Sequence, residues 1–528
     1  MNQLAGPIDY STYDSLLDVF DRAVERYADL PMVTCMGATL SYAEVDALSR
    51  RLAAYLQQDL GMQRGERIAI QLPNLPQYPV AVYGALRAGL VIVNTNPLYT
   101  PRELRHQFSD ADVEVAITLS ANLPVIERIR ADTPLQKLIV TAPGDMLGAP
   151  ASVRSEGDVV AFLDALEQGA SLSLEPARPD PEDLLCLQYT GGTTGLSKGA
   201  MLSHGNIIAN LLQVKQSLGD RLTEAEEVYV VPLPLYHIYA FTLTFAVLAE
   251  GGHLAVLIPD PRNIEAFVAE LKRHRFTGLA GLNTLFVALC HNEQFRQLDF
   301  SGFTMTSSGG MALTRATAEL WRSVTGVLPA EGYGLTETSP TATVNAQDDI
   351  HIGTVGRPLP DTELKVVDEE GRSLEHGEPG ELCIRGPQVM QGYWRKPEET
   401  AAVLTPDGWL HTGDIAVIQA DGLVRIVDRL KDMILVSGFN VYPNEIEDVV
   451  MSHPGVLECA AIGVDDEKSG QAVKLFVVRR DPALDAAALS AFCRENLTSY
   501  KCPKHIEFRD ELPKTNVGKI LRRELRDA

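Results

Sequence analysis

The chain has 528 residues and a formal net charge of −24 at pH 7. That length exceeds what a single hydrophobic core usually serves, so two or more domains are expected. The acidic balance disfavours a nucleic-acid partner, because a polyanion would be repelled. The seven cysteines are scattered and form no CxxC pair, which indicates a reducing cytoplasmic compartment and neither a disulfide framework nor a zinc site.

Helical patterns alternate with short β-rich runs through the first part of the chain. The N-terminus has no basic start and is not expected to be a signal peptide. Helices are predicted over DSLLDVFDRAVERYADL, PQYPVAVYGALRAGL and TPRELRHQFSDA, and strands over RIAIQLP, VIVNT and EVAITL. This alternation is typical of layered α/β structure with largely parallel strands.

Residues 228–249 carry no formal charge, and on length alone they could span a bilayer. Pro232 and Pro234 interrupt this stretch, and a broken helix would leave backbone groups unpaired in hydrocarbon. We therefore predict a strand (EVYVV), a turn and a buried helix (AFTLTFAVLA) instead of a membrane span.

The pattern changes twice towards the C-terminus. From about residue 355, short strands separated by glycine turns predict a β-rich subdomain: TELKVVDEEGRSL, GELCIRG and GLVRIVD. The last hundred residues predict a compact α+β unit with the helices PNEIEDVVMSH and LDAAALSAFCRENL and the strands VLECAAIGV and AVKLFVVRR. We predict a large domain over residues 1–428 and a small one over 429–528.

The segment LQYTGGTTGLSKG, residues 187–199, has the composition of a phosphate-binding loop. Its glycines let successive backbone N–H groups approach an anion, while three threonines add hydroxyl donors and Lys198 adds a cation. It is not a Walker A loop, because Ser197 precedes the lysine and Gly199 follows it. A plain surface turn would not need so many hydroxyl donors.

Residues 331–338, EGYGLTET, set Tyr333 between glycines. A flat ring with close backbone access suits the stacking of a planar base. Glu337 offers the hard oxygen ligand that Mg²⁺ prefers. Taken alone, an ordinary turn with a solvated glutamate would explain the same residues.

Two further segments carry charged residues in turns. DGWLHTGD, residues 407–414, presents Asp414, a carboxylate suited to the two hydroxyls of a ribose. LPKTNVGKI, residues 512–520, presents Lys519 in an otherwise acidic protein. A lone lysine is usually solvent-exposed, so this last signal depends on its context.

These segments, in this order and spacing, resemble the acyl-adenylate-forming superfamily of AMP-binding enzymes. The resemblance covers nearly the whole chain and is strongest to bacterial long-chain fatty-acid–CoA ligases. It rests on YTGGTTGLSKGAML, PLPLYHIYAF, GLNTLFVALC, SSGGMAL, GYGLTETSP, GPQVMQGYW, DGWLHTGDIA, VDRLKDMILVSGFNVYPNEIED and LPKTNVGKILRREL. It implies an α/β fold, with layered subdomains plus a β-rich subdomain and a small mobile α+β domain.

The resemblance also implies residue roles in ATP binding. The ATP phosphates would be wrapped by Thr190, Gly191, Gly192, Thr193, Thr194, Gly195 and Lys198. The adenine would be bordered by Gly309, Gly310, Met311, Glu331, Gly332 and Tyr333. Thr336 would touch the α-phosphate, Asp414 and Arg429 would hold the ribose, and Thr190 and Glu337 would lie near Mg²⁺. Many members carry Ser where this chain has Gly192, although the fatty-acid ligase branch often has Gly.

Catalysis and acyl transfer would involve other positions. The resemblance implies catalytic roles for Lys519, Lys198 and His237, with Lys519 entering from the small domain. The acyl pocket would include His237, Tyr239, Phe241 and Gly334. Lys431 would mark a hinge near residues 428–432, and the coenzyme A channel would be bordered by Ser437, Gly438, Phe439 and Asn440. Some members carry a lysine where this chain has Leu435, so no catalytic lysine is placed there.

The predicted activity is ATP-dependent conversion of a medium- or long-chain fatty acid to an acyl-adenylate, followed by transfer to coenzyme A. ATP, Mg²⁺ and coenzyme A are the expected cofactors, and small molecules the expected partners. An aryl-acid ligase of the coumarate type and a stand-alone enzyme that loads an acyl carrier protein remain alternatives. Peripheral association with the inner face of the cytoplasmic membrane and a homodimer are left open.

Overall fold

The computed structural model describes residues 7–190, 197–256, 258, 260–437, 439–466, 468–514 and 520–526. The strands are β1 (Pro31–Cys35), β2 (Ala38–Ser41), β3 (Arg67–Gln71), β4 (Val91–Asn94), β5 (Val115–Leu119), β6 (Lys137–Thr141), β7 (Val159–Ala161), β8 (Leu184–Thr190), β9 (Lys198–Ser203), β10 (Val228–Val230), β11 (His253–Val256), β12 (Gly278–Gly281), β13 (Met305–Ser308), β14 (Ala330–Gly334), β15 (Thr341–Val344), β16 (Arg357–Pro358), β17 (Glu363–Val367), β18 (Pro379–Arg385), β19 (Leu410–Ile418), β20 (Val424–Arg429), β21 (Ile434–Val436), β22 (Phe439–Val441), β23 (Val456–Asp466), β24 (Gly470–Arg479) and β25 (His505–Arg509).

The helices follow the same chain order. They are α1 (Leu16–Tyr27), α2 (Tyr42–Gln58), α3 (Gln77–Arg87), α4 (Pro101–Asp110), α5 (Leu123–Glu127), α6 (Phe162–Gly169), α7 (His204–Leu218), α8 (Ile238–Ala249), α9 (Ile264–Leu271), α10 (Asn283–His291), α11 (Arg315–Thr325), α12 (Pro397–Ala401), α13 (Pro443–Met451), α14 (Ala486–Asn496) and α15 (Arg522–Arg526). Short 3₁₀ turns connect several of them.

Two large sheets make up most of the N-terminal part. One has seven strands in the order β7-β6-β5-β3-β4-β8-β9 and is parallel except for its last pair, β8 and β9. The other has nine strands in the order β16-β15-β14-β13-β12-β10-β11-β1-β2, with a parallel centre and antiparallel ends. The prediction of α/β layers with largely parallel strands is confirmed.

The local signals that start the helices are polar caps before apolar faces. Ser41 and Thr100 each form a capping box, with Glu44 and Glu103 respectively, which satisfies backbone N–H groups at the start of a helix. All eleven residues of α3 are buried, as a helix packed between two layers requires. The predicted strand, turn and helix over residues 228–249 are confirmed as β10 and α8. Among the described residues, no helix combines enough length and apolar character to cross a bilayer.

The C-terminal half contains two smaller sheets. Strands β17-β18-β19-β20 form an antiparallel sheet, as predicted for the β-rich subdomain. Strands β22-β21-β24-β23, with β25 beside β24, form the sheet of the small α+β unit. Strand β20 ends at Arg429, one residue past the predicted boundary at residue 428, and that boundary stays a prediction.

Carboxylates fix the connection between the β-rich sheet and the small unit. The buried Asp428 accepts hydrogen bonds from the backbone N–H groups of Asn444, at 2.8 Å, and Arg429, at 2.7 Å. Burial raises the pKa of Asp428 to about 6. Asp432 accepts from Arg526 at 2.7 Å and lies 3.6 Å from Arg522. Residues 428–432 are thereby held against the small unit by buried polar contacts.

Candidate active site

The predicted phosphate loop connects two antiparallel strands. Thr190, at the end of β8, lies opposite Lys198, the first residue of β9, so this hairpin brings a hydroxyl and an ammonium group to the same end of the sheet. Several predicted site residues lie outside the described part of the chain: Gly191, Gly192, Thr193, Thr194, Gly195, Gly438 and Lys519.

Lys198 is held by an acidic and an aromatic neighbour. Its Nζ lies 2.5 Å from Oε2 of Glu399 and 4.8 Å from the centroid of the Tyr393 ring. The hydrogen bond from Lys198 lowers the pKa of Glu399. About a third of the Lys198 side chain remains exposed to solvent. The cation is therefore already paired, but within reach of an incoming anion.

Tyr393 links Lys198 to the predicted magnesium ligand. Its hydroxyl donates to Oε1 of Glu337 at 2.7 Å, and burial together with the Glu337 charge raises the pKa of Tyr393. The backbone fixes this arrangement, because the N–H of Trp394 donates to the carbonyl of Gly199 at 2.8 Å. Tyr393 thus contacts Lys198 through its ring and Glu337 through its hydroxyl group.

A second group of residues joins β14 to the β-rich sheet. The Tyr333 hydroxyl donates to Oδ2 of Asp414 at 2.6 Å, and Nε of Arg429 lies 3.2 Å from Oδ1. Asp414 and Arg429 are direct partners across β19 and β20. Asp414 is only 4% exposed. The burial of Tyr333, together with the negative charge of Asp414, raises the pKa of Tyr333 well above the usual range. The structure thus brings together three residues predicted to hold the nucleoside.

The predicted adenine site lies where β13 and β14 run side by side. Gly309, Gly310 and Met311 follow β13, and Gly310 has a φ of +78°, which favours glycine. A Cβ on Gly309 would lie 3.3 Å from the Tyr239 ring, and one on Gly332 would lie 3.0 Å from the carbonyl oxygen of Thr343. Glycine at these positions therefore keeps the two strand ends close to their neighbours.

Glu331 closes the same region with a buried carboxyl group. It is 7% exposed, and its Oε1 accepts a hydrogen bond from the N–H of Leu313 at 3.0 Å. Burial raises its pKa to about 8, and the nearby Asp448 acts in the same direction. A group with that pKa is largely protonated at pH 7, so Glu331 can both donate and accept hydrogen bonds at the edge of a base.

The predicted acyl pocket begins at helix α8. His237 caps this helix, and its Nδ1 accepts the N–H of Tyr239 at 3.3 Å. The Tyr239 hydroxyl donates to Oγ of Ser307 at 3.1 Å. Gly334 passes close to the neighbouring strand, since a Cβ there would lie 1.8 Å from the carbonyl oxygen of Pro340. The hydrogen bond from Tyr239 thus holds α8 beside β13, while Gly334 lets β14 pass close to the chain that leads into β15.

Phe241 is fully buried and lines an apolar cavity of about 20 Å³. Tyr78, Leu235, Phe245 and Leu248 also line this cavity. Its volume holds about one water-sized group, which is far less than an alkyl chain. The role of these residues in acyl binding therefore stays a prediction.

A larger polar cavity of about 280 Å³ adjoins the two nucleotide groups. Glu337 and Tyr393 line one part of it, and the turn at Thr412 and Gly413 lines another. That turn leads directly into Asp414, whose N–H donates to Oγ1 of Thr412 at 3.1 Å. The cavity thus lies between the phosphate side and the ribose side of the candidate site.

The oxygen donors here fit a hard divalent cation. Glu337 offers a half-buried carboxylate beside the polar cavity, and Thr190 offers a hydroxyl at the end of β8. Carboxylate and hydroxyl oxygens are the protein ligands that accompany Mg²⁺ on nucleotide phosphates. The residue types that were predicted for this ion are therefore suitable.

Three of the four predicted coenzyme A residues are described, and they lie on or beside strands β21 and β22 of the small unit. Ser437, with a φ of +53°, Phe439 and Asn440 are all exposed. Phe439 is 55% exposed and stacks on Tyr500 with ring centroids 4.7 Å apart. Lys431, the predicted hinge residue, lies in the 3₁₀ turn Leu430–Asp432 and is also exposed.

Sequence reasoning assigned no role to three residues beside the phosphate hairpin. Tyr393 and Glu399 contact Lys198, and His106 places Nε2 2.6 Å from the carbonyl oxygen of Ser197. Tyr393 lies within GPQVMQGYW, a segment already used for the family resemblance, so that segment was the available signal. No local pattern marks the other two.

Comparisons with known proteins identify the family. The AMP-binding enzyme family matches residues 20–394, and its C-terminal domain matches residues 445–519. A long-chain-fatty-acid–CoA ligase of Escherichia coli O157:H7 is 49% identical over 98% of this chain and 95% of its own. A crystal structure of an anthranilate CoA ligase in complex with anthranoyl-AMP is 28% identical and has a TM-score of 0.89 over 98% of both chains. ATP-bound MatB from Rhodopseudomonas palustris is 31% identical, with a TM-score of 0.86 over 97% of this chain and 98% of its own. The chain belongs to the AMP-binding enzyme family.

Proposed function

We propose that this protein is an ATP-dependent, AMP-forming ligase that joins a medium- or long-chain fatty acid to coenzyme A. Its full-length relative from Escherichia coli O157:H7 is named a long-chain-fatty-acid–CoA ligase. The observation that carries the nucleotide part is the buried contact of Tyr333 and Arg429 with the two oxygens of Asp414. Strand β14 meets the paired strands β19 and β20 there.

The nucleoside would bind against β14 and the β-rich sheet. Asp414 keeps acceptor capacity on both oxygens for the two ribose hydroxyls, because a carboxylate offers about four lone-pair sites. Arg429 and Tyr333 fix the carboxylate before the substrate arrives. Tyr333 and the turn at Gly309 to Met311 would border the adenine, and the neutral Glu331 would face its polar edge.

In the first step, a carboxylate oxygen of the fatty acid attacks the α-phosphorus of ATP. A new O–P bond forms, the bond to the β,γ-phosphates breaks, and pyrophosphate leaves with its electron pair. Lys198 would exchange Glu399 for phosphate oxygens and offset charge there. Lys519, by family resemblance, would meet the charge on the α-phosphate, and Thr336 would contact the same group. Mg²⁺ held by Glu337 and Thr190 would neutralise phosphate charge.

In the second step, the thiol of coenzyme A attacks the acyl carbon. A C–S bond forms, the bond from the acyl carbon to the phosphate oxygen breaks, AMP leaves with that electron pair, and the thiol proton goes to solvent. His237, by family resemblance, would lie beside the reacting acyl group at the mouth of the acyl pocket. The thiol must approach from another direction than ATP. A hinge at Lys431 between domains 1–428 and 429–528 would let residues 437–440 border the thiol channel in this step.

The acyl substrate is proposed on the relatives' names and on the apolar surroundings of Phe241. An aryl acid of the coumarate type and a carrier-protein acceptor are the rival readings of the same first step. A cytoplasmic location, peripheral contact with the inner membrane face and a homodimer belong to the same set of proposals.

Product analysis with a panel of acids tests this function. Fatty acids of increasing length and cinnamate-type acids are each incubated with ATP and Mg²⁺, with either coenzyme A or an acyl carrier protein. We expect AMP, pyrophosphate and an acyl-CoA thioester, with higher kcat/KM for alkyl acids than for aryl acids. A preference for cinnamate-type acids, or thioester formed only on the carrier protein, would contradict the proposal.

A further inference from the structure

Three side chains with metal-binding chemistry lie together on one face of the four-stranded sheet. Glu381 and Cys383 are two positions apart on β18, so they share a face, and His411 lies opposite Cys383 on β19. Nδ1 of His411 is 2.8 Å from Oε2 of Glu381 and 3.6 Å from Sγ of Cys383. All three ligand atoms lie within 4.8 Å of one another. Sequence spacing gave no sign of this group, because it depends on the pairing of β18 with β19.

These separations suit a tetrahedral cation with mixed ligands. Bonds of about 2.0–2.3 Å from zinc to nitrogen, oxygen and sulfur place adjacent ligand atoms about 3.3–3.8 Å apart. The distance from Cys383 to His411 already falls in that range. Glu381 and His411 would need to separate by about half an ångström, which a side-chain rotation can supply.

The surroundings supply both orientation and room. Gly413 donates its N–H to Oε1 of Glu381 at 3.0 Å, which fixes the carboxylate and leaves Oε2 directed at His411. Such a supporting hydrogen bond is typical of metal ligands. Glu381 and His411 also line the polar cavity of about 280 Å³, so a water molecule can reach a fourth ligand position.

Cys383 is the most deeply buried of the three residues. It is completely buried, and burial raises the pKa of its thiol to about 12. The thiol is therefore neutral without a metal ion, and cation binding would release its proton to solvent. Binding of one cation would therefore release about one thiol proton.

We propose that Glu381, Cys383 and His411 form a binding site for one thiophilic divalent cation, of the Zn²⁺ or Cd²⁺ type, with water from the adjoining cavity as fourth ligand. Thiolate and imidazole ligands select such cations over Mg²⁺. Its three ligands are different residues from the oxygen donors Glu337 and Thr190, although Glu337 lines the same cavity.

A cation bound at this site would affect the proposed nucleotide site through one hydrogen bond and one peptide bond. Glu381 holds the N–H of Gly413, and Gly413 directly precedes Asp414. A cation that moves Glu381 would therefore shift the turn that carries the proposed ribose ligand, so we expect bound Cd²⁺ to raise the KM for ATP. This consequence rests on the proposed function, whereas cation binding itself does not.

Cadmium titration of the full chain tests the site directly. The protein is kept reduced with a phosphine, without ATP, and titrated with Cd²⁺ while the ultraviolet absorption of a cadmium–thiolate bond and the bound metal are measured. We expect one tight equivalent with the thiolate band and release of about one proton. Cys383→Ala should remove the band and weaken binding at least about tenfold. Cys502→Ser, a thiol in the small unit, should leave both unchanged.

Further variants and a competitor separate this site from other sources of binding. His411→Gln and Glu381→Gln keep the thiol and should each weaken binding about tenfold or more, so they decide the matter if Cys383→Ala does not fold. Excess Mg²⁺ should not displace Cd²⁺, whereas binding at Glu337 would be displaced. Absence of a thiolate band in the unaltered protein, or equal binding by all three variants, would overturn the proposal. Both results are read without ATP, so neither depends on the ligase activity.

Discussion

The ribose side and the phosphate side of the candidate site differ in how their charges are held. On the ribose side, the Asp414 side chain is 5% exposed and contacts Tyr333 and Arg429. On the phosphate side, Lys198 and Glu399 pair at 2.5 Å but are 33% and 43% exposed. Asp414 is buried with its partners, whereas Lys198 and Glu399 are partly exposed and can exchange partners.

This difference suggests two ways of preparing for the same substrate. The ribose is neutral, so its ligand can be fixed and desolvated in advance by protein partners. The phosphates are anionic, and until they bind, the partly exposed Lys198 is paired with Glu399. Glu399 provides a carboxylate that phosphate oxygens can replace. The polyanion thus meets a cation whose partner is weakly held because solvent screens it.

Asp414→Ala should give the largest effect, because it removes the ribose ligand and leaves Tyr333 and Arg429 without their shared partner. We expect kcat/KM for ATP to fall about a hundredfold to a thousandfold. Steady-state acyl-CoA formation at varied ATP measures this. Glu363→Ala is the matched control, since Glu363 pairs with Arg385 at 2.7 Å on the exposed face of the same sheet. If kcat/KM for ATP falls less than about threefold in Asp414→Ala, the proposed difference between the ribose side and the phosphate side is contradicted.

Glu331 is also buried, in the predicted adenine region, and its carboxyl group should make the free energy of unfolding depend on pH. Its folded pKa of about 8 exceeds the ordinary value of 4.5, so the folded protein keeps a proton that the unfolded chain loses. The free energy of unfolding should therefore fall as pH rises from about 4.5 to about 8. In denaturant unfolding, the fall in the free energy of unfolding across this window should be smaller in Glu331→Gln than in the unaltered protein. The difference should be at most about 5 kcal/mol, because each pKa unit corresponds to about 1.4 kcal/mol.

Asp428 and Asp448 also have pKa values raised to about 6 by burial, and they contribute with the same sign. The prediction for Glu331 therefore concerns the difference between variant and unaltered protein, and not the total slope. Equal slopes in the two proteins would show that Glu331 does not hold the extra proton.

Tyr393→Phe tests the phosphate side, where Tyr393 contacts both Lys198 and Glu337. It keeps the ring beside Lys198 but removes the hydroxyl that donates to Glu337 at 2.7 Å. A hydrogen bond to a charged group contributes about 1.5–3 kcal/mol, so we expect kcat/KM for ATP to fall roughly tenfold. Tyr27→Phe is the control, because Tyr27 donates to Glu224 at 2.8 Å away from the site. An unchanged rate in Tyr393→Phe would mean that Glu337 needs no such support.

Glu399→Gln should have the smallest effect. It releases Lys198 from an exposed ion pair, and such pairs contribute little, so the KM for ATP should fall by no more than about threefold. Initial rates at limiting ATP measure this change. A tenfold loss of activity would instead assign Glu399 a direct role and contradict the exchange of Glu399 for phosphate.

The sequence predicted the elements well where local patterns determine them. The capped helices α1 and α4, the buried strand β3, and the interruption of residues 228–249 by prolines follow from short-range chemistry. Strand β25, over HIEFR, was not predicted, because it is short and polar and is identified only by its pairing with β24.

The site was predictable only in part for a related reason. The family resemblance named Asp414, Arg429 and Tyr333, and the structure brings them into contact. Tyr393 was missed because its partner Glu337 is 56 positions away, and no spacing rule connects them. The raised pKa of Glu331 depends on burial by tertiary packing. Residue type alone therefore could not reveal it.

Exchange of labelled pyrophosphate into ATP tests the central claim, the formation of an acyl-adenylate, most directly. The reaction is run with Mg²⁺ and a long-chain fatty acid, without coenzyme A. Reversible adenylation predicts exchange that requires the fatty acid, proceeds without coenzyme A and falls strongly in Asp414→Ala. Exchange that is absent until coenzyme A is added, or that occurs equally without the fatty acid, would contradict it.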